Sequence, residues 1–183
     1  MNLEKISIGK FIHYLQEGLS FKGSYYCVSH SIERTKGNQF AVFFISSHIY
    51  GLERMLTVKW NSDTEFGTGY RTPKAQSSLF EEVEKQEIEN ENYVWLSRKL
   101  YDFLKEKQTI SNLELYEFTL KMGFLPKHTN AILFDWKRQG ELNIRDAQTS
   151  MPIDKPRSFF NKWNDYRTKQ PKILISFKDH GTE

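Results

Sequence analysis

Hydrophobic positions recur along this chain with two spacings, and the switches between them mark its elements. Ile8, Phe11, Ile12, Leu15 and Leu19 fall at steps of three and four within Ile6 to Leu19. That is one face of an amphipathic helix, closed by Gly18 and Gly23. Tyr25 to Ile32 and Gln39 to Ser46 are rich in aromatic and β-branched residues, and Arg34-Thr35-Lys36-Gly37-Asn38 between them suits a hairpin tip. From Phe40 to Ile45 every position is apolar. A half-solvated antiparallel strand alternates, so this strand is expected to be covered on both faces. Helical spacing returns over His48 to Trp60, with Ile49, Leu52, Met55, Leu56 and Lys59 or Trp60 on the buried stripe. Asn61 to Ser78, containing Phe66-Gly67-Thr68-Gly69-Tyr70 and Pro73, reads as a loop long enough to be functional or mobile.

The second half has clearer punctuation. Tyr93 to Lys105 is expected to be helical, with Val94, Leu96, Leu100, Phe103 and Leu104 on its apolar side. Thr109 and Ile110 suit a short strand. Ser111-Asn112-Leu113-Glu114 has capping-box spacing, in which the hydroxyl accepts the third helical amide and the carboxylate reaches back. The helix so started buries Leu115, Phe118 and Met122, and Gly123 stops it. Pro126 opens the next helix, where its missing amide costs nothing. Counting back from Gly140, Trp136, Leu133, Ile132 and Thr129 share the inward face of that helix. Leu142 to Arg145 and Ile173 to Phe177 alternate and are expected to pair, leaving 147–172 as an unusually long wing. The order of helix, short strand, helix, turn, helix and hairpin is that of a winged helix-turn-helix.

The expected fold class is therefore α+β. An α-β-β-α unit with an antiparallel hairpin occupies 1–78, an acidic linker or helix 79–92, and the winged-helix domain 93–183.

Composition adds a compartment and a partner class. The chain is 38% hydrophobic, which is enough to build a core. Its longest apolar run, Phe40 to Ile45, is too short to span a bilayer. Glu4 and Lys5 stand where a basic-then-apolar leader would begin, and Cys27 is the sole cysteine, so a reducing, cytoplasmic setting is expected. The net charge of +3 is unevenly spread. Residues 81–92 carry six Glu against one Lys, whereas 121–172 carry eleven Lys or Arg against five acids. A basic segment of that kind suits a polyanion, although a solvated surface would also carry it.

The second helix of a helix-turn-helix enters the major groove, and its outward side chains meet bases and phosphates. The candidates on it are Lys127, His128, Asn130, Ala131, Phe134, Lys137 and Arg138, with Asn130 suited to an adenine edge. The wing adds Lys155, Arg157, Lys162, Arg167, Lys169 and Lys172, interleaved with Phe159, Phe160, Trp163 and Tyr166. Helical spacing among these aromatics suggests a small helix over Pro156 to Arg167. The aromatics are expected to form a satellite core more than a base-stacking platform. Nucleic-acid contacts are thus assigned to Lys127, His128, Asn130, Lys137, Arg138, Arg157, Lys162, Arg167 and Lys169. The competing use of such a domain is docking another protein.

Catalytic groupings are weaker. Cys27 and His30 are three apart on a strand and face opposite ways, so they do not form a metal pair. His13, His48, His128 and His180 show no ligand spacing. Gly67-Thr68-Gly69 lacks the third glycine and the lysine of a phosphate cradle. Asp63 and Glu65 lie on one side of an extended stretch and suit Mg²⁺, but a solvated loop accounts for them as well. No catalytic residue, metal or cofactor is assigned.

Phe43-Phe44-Ile45-Ser46-Ser47-His48-Ile49-Tyr50-Gly51-Leu52-Glu53-Arg54-Met55, with Lys59-Trp60-Asn61-Ser62-Asp63 and Gly67, resembles a stretch of the three-Cys-motif partner (TcmP) family. It looks like that family's apolar strand, its helix with a "His-x-x-Gly-Leu-x-x-Met" core and its closing "Trp-x-x-Asp". The winged helix resembles the family's C-terminal extension. The resemblance implies the end of a methyltransferase-like fold, an association with mobile elements, and a radical-enzyme-like partner protein. The acidic-Gly-x-Gly loop that holds S-adenosylmethionine in the family has no counterpart here, so no cofactor or catalytic residue is carried over.

Taken together, these features lead us to expect a non-catalytic nucleic-acid-binding subunit of a bacterial or phage-related defence or modification assembly. DNA is favoured over RNA, no membrane is involved, and a protein partner or a second copy associates through the 25–46 hairpin. The alternatives are a protein-docking subunit, a degenerate methyltransferase and a metal-dependent nuclease using Asp63 and Glu65.

Overall fold

The computed structural model describes residues 14, 25–35, 38–62, 69–71, 79–154 and 159–178, with side chains at all of these except 31–39, 69–71 and 79–91. The architecture is α+β. The chain divides into two units, Met1–Glu89 and Asn90–Glu183. The expected helix over Ile6 to Leu19 lies outside the described residues, as do Asp63, Glu65 and Gly67.

In the first unit, β1 (Tyr26–Thr35) and β2 (Asn38–Ser46) form the expected antiparallel hairpin, in register from Tyr26 opposite Ser46 to Glu33 opposite Gln39, with a shift of register before Thr35 pairs with Asn38. Both strands run closer to the tip than the apolar pattern indicates, because ladder hydrogen bonds use backbone that polar residues also carry. Helix α1 (Ile49–Ser62) follows and buries Ile49, Leu52, Leu56 and Trp60, with Met55 half-buried. The start of α1 lies so close to β2 that a Cβ on Gly51 would run into the Ser46 side chain. The Ser46 hydroxyl meanwhile accepts the His48 amide at 3.0 Å. A third strand, β3 (Gly69–Arg71), pairs parallel with β1, giving the sheet order β2-β1-β3. It arises inside the stretch expected to be a loop, since three residues beginning with glycine carry no period to read.

Coverage of β2 departs from expectation. Among the described strands it lies at the sheet edge, and Phe40, Val42 and Ile45 are 51%, 45% and 41% exposed. Alternation puts Phe40 and Val42 on one face and Ile45 on the other, so neither face is fully covered by the described residues. On β1 the alternation is orderly. Val28 and His30 are buried on one face, and Cys27 is half-buried on the other. Burial pushes the Cys27 thiol up, away from the reactive thiolate.

The second unit contains the end of α2 (Leu79–Lys107), then β4 (Ile110–Ser111), α3 (Asn112–Lys121), α4 (Pro126–Arg138), β5 (Leu142–Asp146), α5 (Trp163–Tyr166) and β6 (Ile173–Phe177). Strands β5 and β6 pair antiparallel, Leu142 opposite Phe177 and Asp146 opposite Ile173, and β4 adds to the far side of β6. The core of this unit gathers Leu96, Leu100 and Leu104 of α2, Leu115, Tyr116 and Leu120 of α3, and Ile132 and Leu133 of α4, all essentially buried. Two stripes differ from the sequence reading. Val94 is 62% exposed, because it lies two positions before Leu96 and so points about 200° away from the Leu96-Leu100-Leu104 row. On α3 the buried set is Leu115, Tyr116, Thr119 and Leu120, and Phe118 and Met122 sit on its margin. Phe118 there stacks on Phe103 at 4.5 Å.

Both helix-turn-helix segments end and begin as their residues dictate. The Glu114 amide donates to Ser111 Oγ at 3.2 Å, and the Ser111 amide to Glu114 Oε2 at 2.8 Å, completing the capping box. Gly123 and Gly140 hold φ of +83° and +81°. Each closes a paired C-terminal turn, in which its own amide and the next bond back to the last carbonyls of the helix. Among the described residues no helix is long and apolar enough to cross a membrane.

Candidate nucleic-acid interface

Helix α4 starts without an N-cap side chain, because Leu125 occupies that position. His128 holds the helix start from the other direction: its Nδ1 accepts the Leu125 amide at 3.1 Å, and its ring meets that of Phe124 edge to face at 5.7 Å. Burial, reinforced by the Lys127 ammonium, lowers the His128 pKa from its ordinary value to about 4. At neutral pH His128 is therefore an uncharged helix cap and offers no cation to a phosphate.

Opposite the buried Thr129, Ile132 and Leu133, the helix exposes Lys127, Ala131, Phe134 and Arg138. These positions succeed one another at steps of four, three and four and form one stripe. Lys137 and Asn130 are half-buried on one flank. On the other flank Asp135 accepts the Tyr93 hydroxyl at 2.6 Å and pairs with Arg138 at 2.7 Å. Desolvation and the Asp135 carboxylate together push the Tyr93 phenol up to about 12, so it remains a donor. The Arg138 side chain is nonetheless 79% exposed.

The insert between β5 and β6 is folded, and it lies against the helix-turn-helix. At its start the Asp146 carboxylate accepts the amides of Gln148 and Thr149 at 2.9 Å and 2.8 Å, in a turn that brings 151–153 back antiparallel beside β5, where the Ile153 amide donates to the Ile144 carbonyl at 2.8 Å. On the return leg Phe159 is fully buried with its ring against Phe134 at 4.7 Å. Tyr166 stacks on Tyr116 at 4.7 Å and donates to Glu117 at 2.6 Å. Asn112, at the start of α3, donates to the Phe160 carbonyl at 3.3 Å and accepts the Lys172 amide at 2.8 Å. Phe159 and Tyr166 thus belong to the core, whereas Phe160 and Trp163 are half-buried. The helix expected over Pro156 to Arg167 is only the four-residue α5 within the described residues, and Lys155 and Arg157 lie outside them. Phe160 holds a positive φ of +51° amid this packing, and Lys169 one of +56° at the exposed turn after α5.

The insert's cations face outward. Lys162, Arg167 and Lys169 are exposed, and Lys169 Nζ lies 3.9 Å from the centre of the Tyr166 ring. The buried Asp165 pairs with Lys172 at 2.6 Å and approaches Lys162 at 3.8 Å, offsetting part of their charge. Of the nine residues assigned from sequence, Lys127, Arg138, Lys162, Arg167 and Lys169 are exposed, and His128, Asn130 and Lys137 are half-buried. Arg157 is outside the described residues. The sequence reading overlooked Asp135 and Asp165, the carboxylates that set how much of this charge is free. Their spacing from Arg138 and from Lys162, i to i+3 in both cases, was the available signal.

Residues 68–149 match the family model described as GMT-like wHTH domain. No curated protein and no solved structure matches the chain significantly. Together with the helix order and the three-stranded sheet, the match shows that this chain carries a winged helix-turn-helix domain. The matched segment takes in α2, β4, α3, α4 and β5 and ends before most of the insert.

Proposed function

We propose that this chain is a nucleic-acid-binding subunit without catalysis of its own, which uses its winged helix to hold duplex DNA. The observation that supports this most is the exposed stripe of α4, bounded by Lys127 and Arg138, beside the exposed Lys162, Arg167 and Lys169 of the insert. Cations placed so release counterions from a phosphate backbone, which is the main source of affinity for DNA. A helix presenting side chains outward fits the B-form major groove, whereas A-form RNA has a groove too deep and narrow for it, so DNA is preferred.

The exposed apolar row of β2 supports a protein partner, or a second copy of the chain, at the hairpin. That exposed row, with the resemblance to the three-Cys-motif partner family, supports the reading of a cytoplasmic subunit in a bacterial or phage-related defence or modification assembly. The second reading, in which the winged helix itself docks protein, draws on Phe134, 45% exposed in the middle of the stripe. Titrating the full chain with labelled duplex DNA, single-stranded DNA and RNA over a salt series separates the two. Duplex binding that falls steeply with salt supports the DNA reading. No binding at low salt, or binding indifferent to salt, overturns it in favour of protein docking.

A further inference from the structure

We propose that Ala131 and Phe134 read the C5-methyl groups of thymine, so that the winged helix prefers duplexes carrying methylated pyrimidines in the major groove. This rests on the duplex-DNA reading above.

Elimination along α4 supports this. Its exposed stripe has a cation at each end, Lys127 and Arg138, and two apolar side chains between them, Ala131 and Phe134. Between those two cations, the neutral and acidic side chains that would read donor and acceptor patterns are already engaged. Asn130 Oδ1 accepts the Asn161 amide at 3.3 Å, which compromises the paired contact an adenine edge requires. Asp135 accepts from Tyr93 and Arg138. His128 spends its Nδ1 on the Leu125 amide. The middle of the stripe therefore meets the base edges with a methyl group and a phenyl ring. In the major groove the apolar feature of a base pair is the thymine methyl.

Phe134 is 45% exposed, and its partner Phe159 is wholly buried. The ring therefore rests on the core at one edge and offers the rest to solvent. Its position is fixed from beneath, since Asn161 of the same insert bonds Thr129 at 3.0 Å. A ring anchored in this way loses little freedom on contact. Flanking cations make a phosphate-lined groove a better occupant than a neutral protein surface.

The test uses the unaltered full chain and alternating polymer duplexes. Binding is compared between alternating dA-dT and dA-dU, which differ only in the methyl group, and between alternating dG-dC and its 5-methylcytosine counterpart. Burying one methyl corresponds to about a four-fold change in affinity, so the methylated member of each pair should bind about four-fold or more tightly. Phe134→Leu should narrow that ratio while leaving the salt dependence in place. Equal affinities within both pairs, with steep salt dependence retained, would overturn the methyl-reading inference and leave the duplex reading standing. Failure to bind any of the four polymers at low salt would overturn both.

Discussion

Asn161 donates to Thr129 Oγ1 at 3.0 Å, fastening the long insert between β5 and β6 to the helix α4 that it adjoins. Thr129 Oγ1 in turn lies 2.9 Å from Thr119 Oγ1 on α3, so one buried chain of polar groups ties the insert to both helices of the helix-turn-helix. Asn161 and both threonines are buried, which makes the network costly to leave half-made.

Replacing Asn161 by Ala should therefore destabilise the second unit by about 1–3 kcal/mol, the usual cost of stranding buried polar groups. The urea midpoint should fall, and amides of residues 159–166 should exchange faster than those of α2. An unchanged midpoint would mean that the insert is held by its aromatics alone.

Asp135 withholds part of the Arg138 charge. In Asp135→Asn the guanidinium loses its ion pair at 2.7 Å, and the Tyr93 hydroxyl keeps an acceptor. Duplex affinity at low salt should rise several-fold, because a cation free to neutralise phosphate adds to counterion release. Unaltered or weaker binding in a titration would show that Arg138 does not face the nucleic acid.

His128 gives the domain a pH dependence of defined sign. Its folded pKa of about 4 lies below the ordinary value of 6.5, so the unfolded chain takes up a proton first as pH falls. Stability contributed by this group is complete above pH 6.5 and is lost as pH falls from there towards 4. Allowing for its partial contact with solvent, the loss is on the order of 1 kcal/mol. Urea unfolding at neutral and mildly acid pH should show that loss in the native chain. It should be smaller in His128→Asn, whose oxygen accepts the Leu125 amide without titrating.

The apolar row of β2 makes a separate prediction. Val42→Lys should abolish self-association, or recovery of a bound partner, while duplex binding is unaffected. Light scattering over a concentration series and co-purification from the native host read this directly. A native chain that is monodisperse as a monomer, with its hairpin protected from exchange, would remove the need for a partner.

The helix-turn-helix was legible because its signals are local. Ser111 with Glu114, Gly123, Pro126 and Gly140 each act within a single turn, and the structure uses every one of them. The pairing of β5 with β6 was also readable, since both strands alternate. What escaped depends on distant partners. β3 exists only because β1 offers it backbone. The insert's aromatics were readable as a satellite core, but not that Asn112, Tyr116 and Thr129 would fasten the insert to the helix-turn-helix. Asn130 and His128 look like outward polar residues on a helical wheel, yet Asn161 engages one and the Leu125 amide the other. Exposure of β2 could not be read either, since an unbroken apolar run predicts burial without saying what provides the cover.

Charge reversal of the outward stripe alters this face of α4 without touching the core. Lys127→Glu combined with Arg138→Glu should leave the circular-dichroism spectrum and melting intact, because both side chains are exposed. Salt-dependent binding to duplex DNA should drop by roughly 100-fold or more, the order expected when two phosphate contacts become repulsive. A folded double variant that binds duplex as tightly as the native chain, with the same salt slope, would contradict the claim that this face of α4 meets nucleic acid.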